Sequence, residues 1–94
     1  MTRKYFVNNK YYRIIITEHA LKRVADRQIP ANHIINTIID MITQHTNMGK
    51  YIMLKNMAHN FSLVINIHNN NIKIITALNK TTCYTKKDTQ VITI

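Results

Sequence analysis

Ninety-four residues suffice for one modest core of helix packed on sheet, and the chain reads as a single domain over 1–94. Thirteen Lys and Arg face only Glu18, Asp26, Asp40 and Asp88, and the resulting formal charge of +9 makes a polyanion the natural partner. A membrane is disfavoured, because no stretch approaches the length of a spanning helix and the basic residues are spread along the chain, not gathered in one amphipathic helix.

Residues 1–10 are polar and aromatic with Asn8-Asn9 as a turn signal, and read as a loose or short extended lead-in. Tyr11 to Ile16 is β-branched and aromatic and predicts the first strand. Thr17 opens a helix: its hydroxyl can accept from a first-turn amide, and Glu18 sits where the helix dipole favours an acid. Pro30 ends that helix by disfavouring helical geometry at Ile29. Leu21, Val24, Ala25 and Gln28 recur at helical spacing, so an apolar stripe led by Leu21 and Val24 is expected to face the core. His19, Arg23 and Arg27 then form one row on its flank.

Ala31 and Asn32 offer a second start, and Ile34, Ile35, Ile38, Ile39, Met41 and Ile42 make a core helix to about Gln44. Asn36, Thr37, Asp40 and Gln44 are expected on or near its wet side, and Gly49, the only glycine, is available as a left-handed terminal residue. From Lys50 the period changes to two. Strands are expected over Lys50–Lys55, Asn60–Ile67, Ile72–Leu78 and Gln90–Ile94, with a turn at Asn69-Asn70-Asn71 and a basic connection from Asn79 to Asp88. The order β-α-α-β-β-β-β gives an α+β fold: two N-terminal helices after a first strand, packed on one face of a four- to five-stranded, mainly antiparallel sheet. The other face is left available for a ligand.

The segment from His19-Ala20 through Arg23 and Arg27 to Ile29 resembles the signature H-A-x-x-R-x-x-x-R-x-I of the domain of unknown function 4258 family. That family is grouped with the RelE, ParE and BrnT toxins and, more broadly, with the ribonuclease fold of barnase and the colicin nucleases. Gln28 departs from the pattern, standing where the family commonly has Gly. The resemblance implies a compact α+β domain and metal-independent cleavage of RNA, with His19, Arg23 and Arg27 at the site. Some relatives of this fold instead inhibit other enzymes.

Such cleavage needs a base near the 2′-hydroxyl, cations for the crowded phosphate, and an acid for the leaving 5′-oxygen. His19 is the residue type that titrates near neutrality, and Arg23 and Arg27 carry permanent charge with forked donors. His59, Thr76 and Tyr84 complete the candidate catalytic set from the later strands and their connections. Lys22, Lys55, Lys80, Lys86 and Lys87 are the candidate RNA contacts. The plainer alternative for each is a solvated polar residue, with His19 capping local backbone and Arg23 holding the helix to the sheet.

No metal or cofactor is expected. The five histidines lack HExxH spacing or a Cys pair, and one glycine cannot build a phosphate-cradling loop. Cys83 is alone, which suits a reducing, cytoplasmic interior, and no signal peptide is evident. The abundance of Ile, Asn and Lys suggests an AT-rich phage or low-GC bacterial gene. Two functions follow. The first is a toxin-like endoribonuclease that forms a cyclic phosphate and is restrained by an acidic antitoxin or immunity protein. The second is a noncatalytic basic module of the same shape, such as a phage-borne inhibitor or an RNA- or DNA-binding modulator of a host enzyme. A helix-turn-helix repressor is disfavoured by Pro30 at the helix junction.

Overall fold

Thr17 caps the first helix through its hydroxyl, which accepts from the Ala20 amide at 3.1 Å and donates to the Ile74 carbonyl at 3.1 Å. One side chain therefore ends a strand, starts a helix and ties both to a distant strand. The computed structural model describes residues 2–45, 47–82 and 85–94. Its elements are β1 (Thr2–Val7), β2 (Lys10–Ile16), α1 (Glu18–Asp26), α2 (Ala31–Gln44), β3 (Tyr51–Asn56), β4 (Phe61–His68), β5 (Asn71–Leu78) and β6 (Gln90–Thr93). They form one six-stranded sheet in the order β1-β2-β5-β4-β3-β6. The class is α+β, with both helices packed on one face.

The sheet differs from the sequence reading in two features. The lead-in is a full strand: β1 pairs antiparallel with β2 from Thr2–Ile15 to Val7–Lys10. Asn8 and Asn9 both take positive φ, 52° and 64°, the type I′ turn whose twist matches a right-handed hairpin. The sheet is also mixed, since β2 lies parallel to β5, and β3 to β6. Local hairpins make the antiparallel pairs, and the two parallel pairs need crossovers.

The β2-to-β3 crossover is helical. Ile34, Ile38, Met41 and Ile42 of α2 pack over Ile14, Ile16, Ile52, Leu54, Leu63, Ile65, Ile72 and Ile74, all essentially buried. Each such side chain contributes about 1.5–3 kcal/mol through its removal from water. Thr37, expected on the wet side, is buried because Asn56 needs it: the Asn56 amide donates to the Thr37 hydroxyl at 2.8 Å. That hydroxyl in turn donates to the His33 carbonyl at 2.6 Å.

Helix α1 is rotated from the expected stripe. Ala20 is fully buried and Val24 partly so, while Leu21 is 46 % exposed. The small Ala20 lets the helix approach β5 closely, which brings Arg27 within reach of the Ala77 carbonyl. The helix ends in a Schellman motif: the Ile29 amide donates to Val24 and the Gln28 amide to Ala25, with Gln28 left-handed at φ 54°. Helix α2 ends differently. His45 is extended at φ −125°, and Gly49 takes no positive φ, so the expected glycine terminator is not used. Gly49 instead donates its amide to the Gln90 side chain at 2.7 Å.

The described residues of the β5-to-β6 crossover lie over the face away from the helices. The Ser62 hydroxyl donates to the Lys80 carbonyl at 2.7 Å, and Lys86 to Thr89 share a cleft with Tyr51, Met53 and Val64. That face is therefore half covered, not open throughout. A bulge helps set the faces. Val64 pairs with Thr76 but Ile65 with Ile74, so Ile75 is an extra residue on β5. Ile72, Ile74 and Ala77 consequently face the helices, and Thr76 and Leu78 the crossover.

Candidate nucleic-acid interface

Row by row, the helix side carries the motif residues. His19 is exposed in the first turn of α1, Lys22 is exposed beside it, and Arg23 is partly buried one turn on. Arg27 is committed: its Nη1 donates to the Ala77 carbonyl of β5. The anchoring role that the plainer alternative gave Arg23 is thus filled by Arg27. His19 and Arg27 are eight residues apart, about 12 Å along the helix axis.

His59 lies at the same end of the sheet as Arg27, in the β3–β4 turn. Its backbone amide donates to the Asn56 carboxamide at 3.0 Å, and its ring stacks on His33 with centroids 3.9 Å apart and planes at 23°. His33, from the first turn of α2, was not singled out in the sequence because no spacing links it to His59. Asn56 joins them by bonding both Thr37 and the His59 backbone.

The remaining candidates do not join His19. Thr76 pairs with Val64, and Lys55 with Ser62, on the face turned away from α1. A β-sheet therefore stands between His19 and these two expected partners. Lys80 contributes its backbone carbonyl to Ser62 and is exposed, as are Lys86 and Lys87 at the rim of the crossover cleft. That cleft encloses about 570 Å³ over Tyr51, Met53, Val64, Ile75 and Leu78. Tyr84 lies outside the described residues. Among the described residues no group of three or more His, Cys, Asp or Glu is placed to hold a metal.

The hairpin supplies residues that the sequence reading missed. Antiparallel partners point to the same face, so Phe6 with Tyr11 and Lys4 with Arg13 stand together on the side away from the helices. Phe6 is 61 % and Tyr11 67 % exposed, with ring centroids 4.8 Å apart. The signal was present as Lys4-Tyr5-Phe6-Val7 and Lys10-Tyr11-Tyr12-Arg13 flanking Asn8-Asn9, once that dipeptide is read as a two-residue turn.

Charge is distributed unevenly. The strands hold Arg3, Lys4, Lys10, Arg13, Lys55 and Lys73 and no acid, since Glu18, Asp26 and Asp40 lie on the helices and Asp88 in the crossover. Among the described residues no helix is long and apolar enough to cross a membrane. Compared with protein-family models, curated proteins and solved structures, the chain matches none.

Proposed function

We propose that this chain is a noncatalytic RNA-binding module. The observation that carries it is the division of the candidate residues between two faces: His19 and Arg23 on the helix side, Lys55 and Thr76 on the other. Acid and base must bracket one phosphate within hydrogen-bond reach, and the sheet stands between His19 and Thr76. Binding has no such requirement. Cations on both faces can hold a wrapped or folded strand, and a formal charge of +9 supplies the attraction. The same charge would attract an acidic protein that masks it, as an antitoxin or immunity protein does.

A second reading, a metal-independent endoribonuclease, is favoured by one feature: His19 is exposed on a rigid helix one turn from Arg23, within the motif that resembles the toxin family. Labelled total RNA incubated with the protein in EDTA separates the two. The binding module retains intact RNA in a salt-sensitive complex, and His19→Ala lowers affinity only modestly. Discrete cleavage with 2′,3′-cyclic ends, lost in both His19→Ala and Arg23→Ala, would establish the enzyme instead. Absence of both a complex and cleavage at low salt would refute both.

A further inference from the structure

Among the described residues, the crossover covers the half of the outer face that lies over β3 and β4. The uncovered half lies over β1, β2 and the start of β5, and register defines what it presents. Phe6 and Tyr11 stand at the tip. Next comes a lateral row, Lys4 paired with Arg13, Arg13 with Asn71, and Asn71 with His68. At about 4.8 Å between strands this row spans about 14 Å. Lys73 follows beside Ile15, exposed on the same face.

The hairpin also overhangs the sheet. Pairing of β2 with β5 begins only at Arg13–Asn71, so Lys10 to Tyr12 extend beyond the start of β5. Between the overhang and the β4–β5 turn lies a cleft of about 460 Å³ lined by Lys4, Tyr11, Tyr12, Arg13, Asn70 and Asn71. Its size lies within the range of small-molecule sites, and its lining combines two tyrosines, two cations and two asparagines, of which Tyr11 and not Tyr12 turns its ring to this face, since Tyr12 packs with Tyr5 against the core.

We propose that this half-face binds single-stranded RNA, with bases stacked on Phe6 and Tyr11 and the backbone carried across the sheet by Lys4, Arg13 and Lys73. Stacking requires exposed π-faces, which a solvent-exposed aromatic pair offers and a buried one does not. The polyanion is selected by charge, since no strand of the sheet carries an acid. A single strand is selected over a duplex because only unpaired bases expose their faces to a ring. The asparagines at the cleft can donate to and accept from base edges, orienting a base without fixing its identity. This inference rests on the RNA-binding reading and assigns it a surface.

The test is equilibrium binding of a fluorescent 12-nucleotide oligouridine RNA, and of a 12-base-pair RNA duplex, to the full chain over a range of salt. Wild type should prefer the single strand at least tenfold at equal salt. Phe6→Leu and Tyr11→Leu keep apolar bulk but remove the π-face. Each should weaken binding about 5- to 100-fold with the salt slope unchanged. Lys4→Ala and Arg13→Ala should each reduce the slope by about 0.7. Unchanged circular dichroism of the Leu variants confirms that the fold is retained. Wild-type binding with no loss in either Leu variant overturns this surface and leaves the RNA-binding reading in place. No wild-type binding overturns both. Self-association abolished by Phe6→Leu, with no RNA bound, would show that the aromatic pair meets a second copy of the chain.

Discussion

Replacing Gln28 by Gly should stabilise the protein. Gln28 occupies the residue after the α1 cap at φ 54°, in a motif that usually takes glycine. A side chain bearing Cβ in this left-handed region costs about 1–2 kcal/mol relative to its preferred conformations. Glycine removes that strain but adds freedom to the unfolded chain, at about 0.5–1 kcal/mol. The balance favours Gln28→Gly by about 0.5–1 kcal/mol. The Gln28 side chain is exposed, so its removal takes little packing with it. For a domain of this size the gain corresponds to a rise in Tm of about 2–8 °C. Thermal unfolding followed by circular dichroism, with urea midpoints as a second measure, gives the sign. Gln28→Ala is the control and should change little, since alanine keeps Cβ. A glycine variant that melts at or below wild type, with an unchanged alanine control, would refute the argument from strain.

Arg27→Met keeps the stem but removes the donor to the Ala77 carbonyl, and should cost about 1.5–3 kcal/mol in urea unfolding, whereas His19→Ala at an exposed position should cost under about 0.5 kcal/mol. If both substitutions prove equally mild, Arg27 is not an anchor. Asn56→Ala leaves Thr37 and the His59 amide without their partner and should cost about 2–3 kcal/mol. It should also release the β3–β4 turn, which amide exchange at His59 would report.

Period and capping chemistry made most of the fold legible. Helix α2 announced itself through isoleucines at spacings of three and four, and Thr17 through a hydroxyl placed for capping. The lead-in is less legible because Asn8-Asn9 signals a turn without showing that both residues are left-handed, the geometry that joins two paired strands as a hairpin. The rotation of α1 was hidden for a different reason. Leu21 outranks Ala20 in hydrophobicity, but close approach to β5 favours the smaller residue. The candidate site suffered most from the β5 bulge. Ile75 reverses the alternation, so the face on which Thr76 lies is set by a pairing shift that no spacing in the chain reveals.

Among the described residues, left-handed turns are built without glycine. Asn8, Asn9, Asn60, Asn69 and Asp88 take positive φ along with Gln28. Turn durability thereby becomes a matter of covalent chemistry as well as flexibility, because asparagine is among the thermolabile residues. Loss of ammonia from one of these carboxamides would replace a neutral group with a carboxylate, lowering the net positive charge by one unit and reshaping a turn. The residues that follow are Asn9, Lys10, Phe61 and Asn70, each with a side chain that hinders attack by the next backbone nitrogen. The chain's turns are thus composed to age slowly, and charge-variant chromatography of stored protein would display that ageing as a ladder of progressively less basic species.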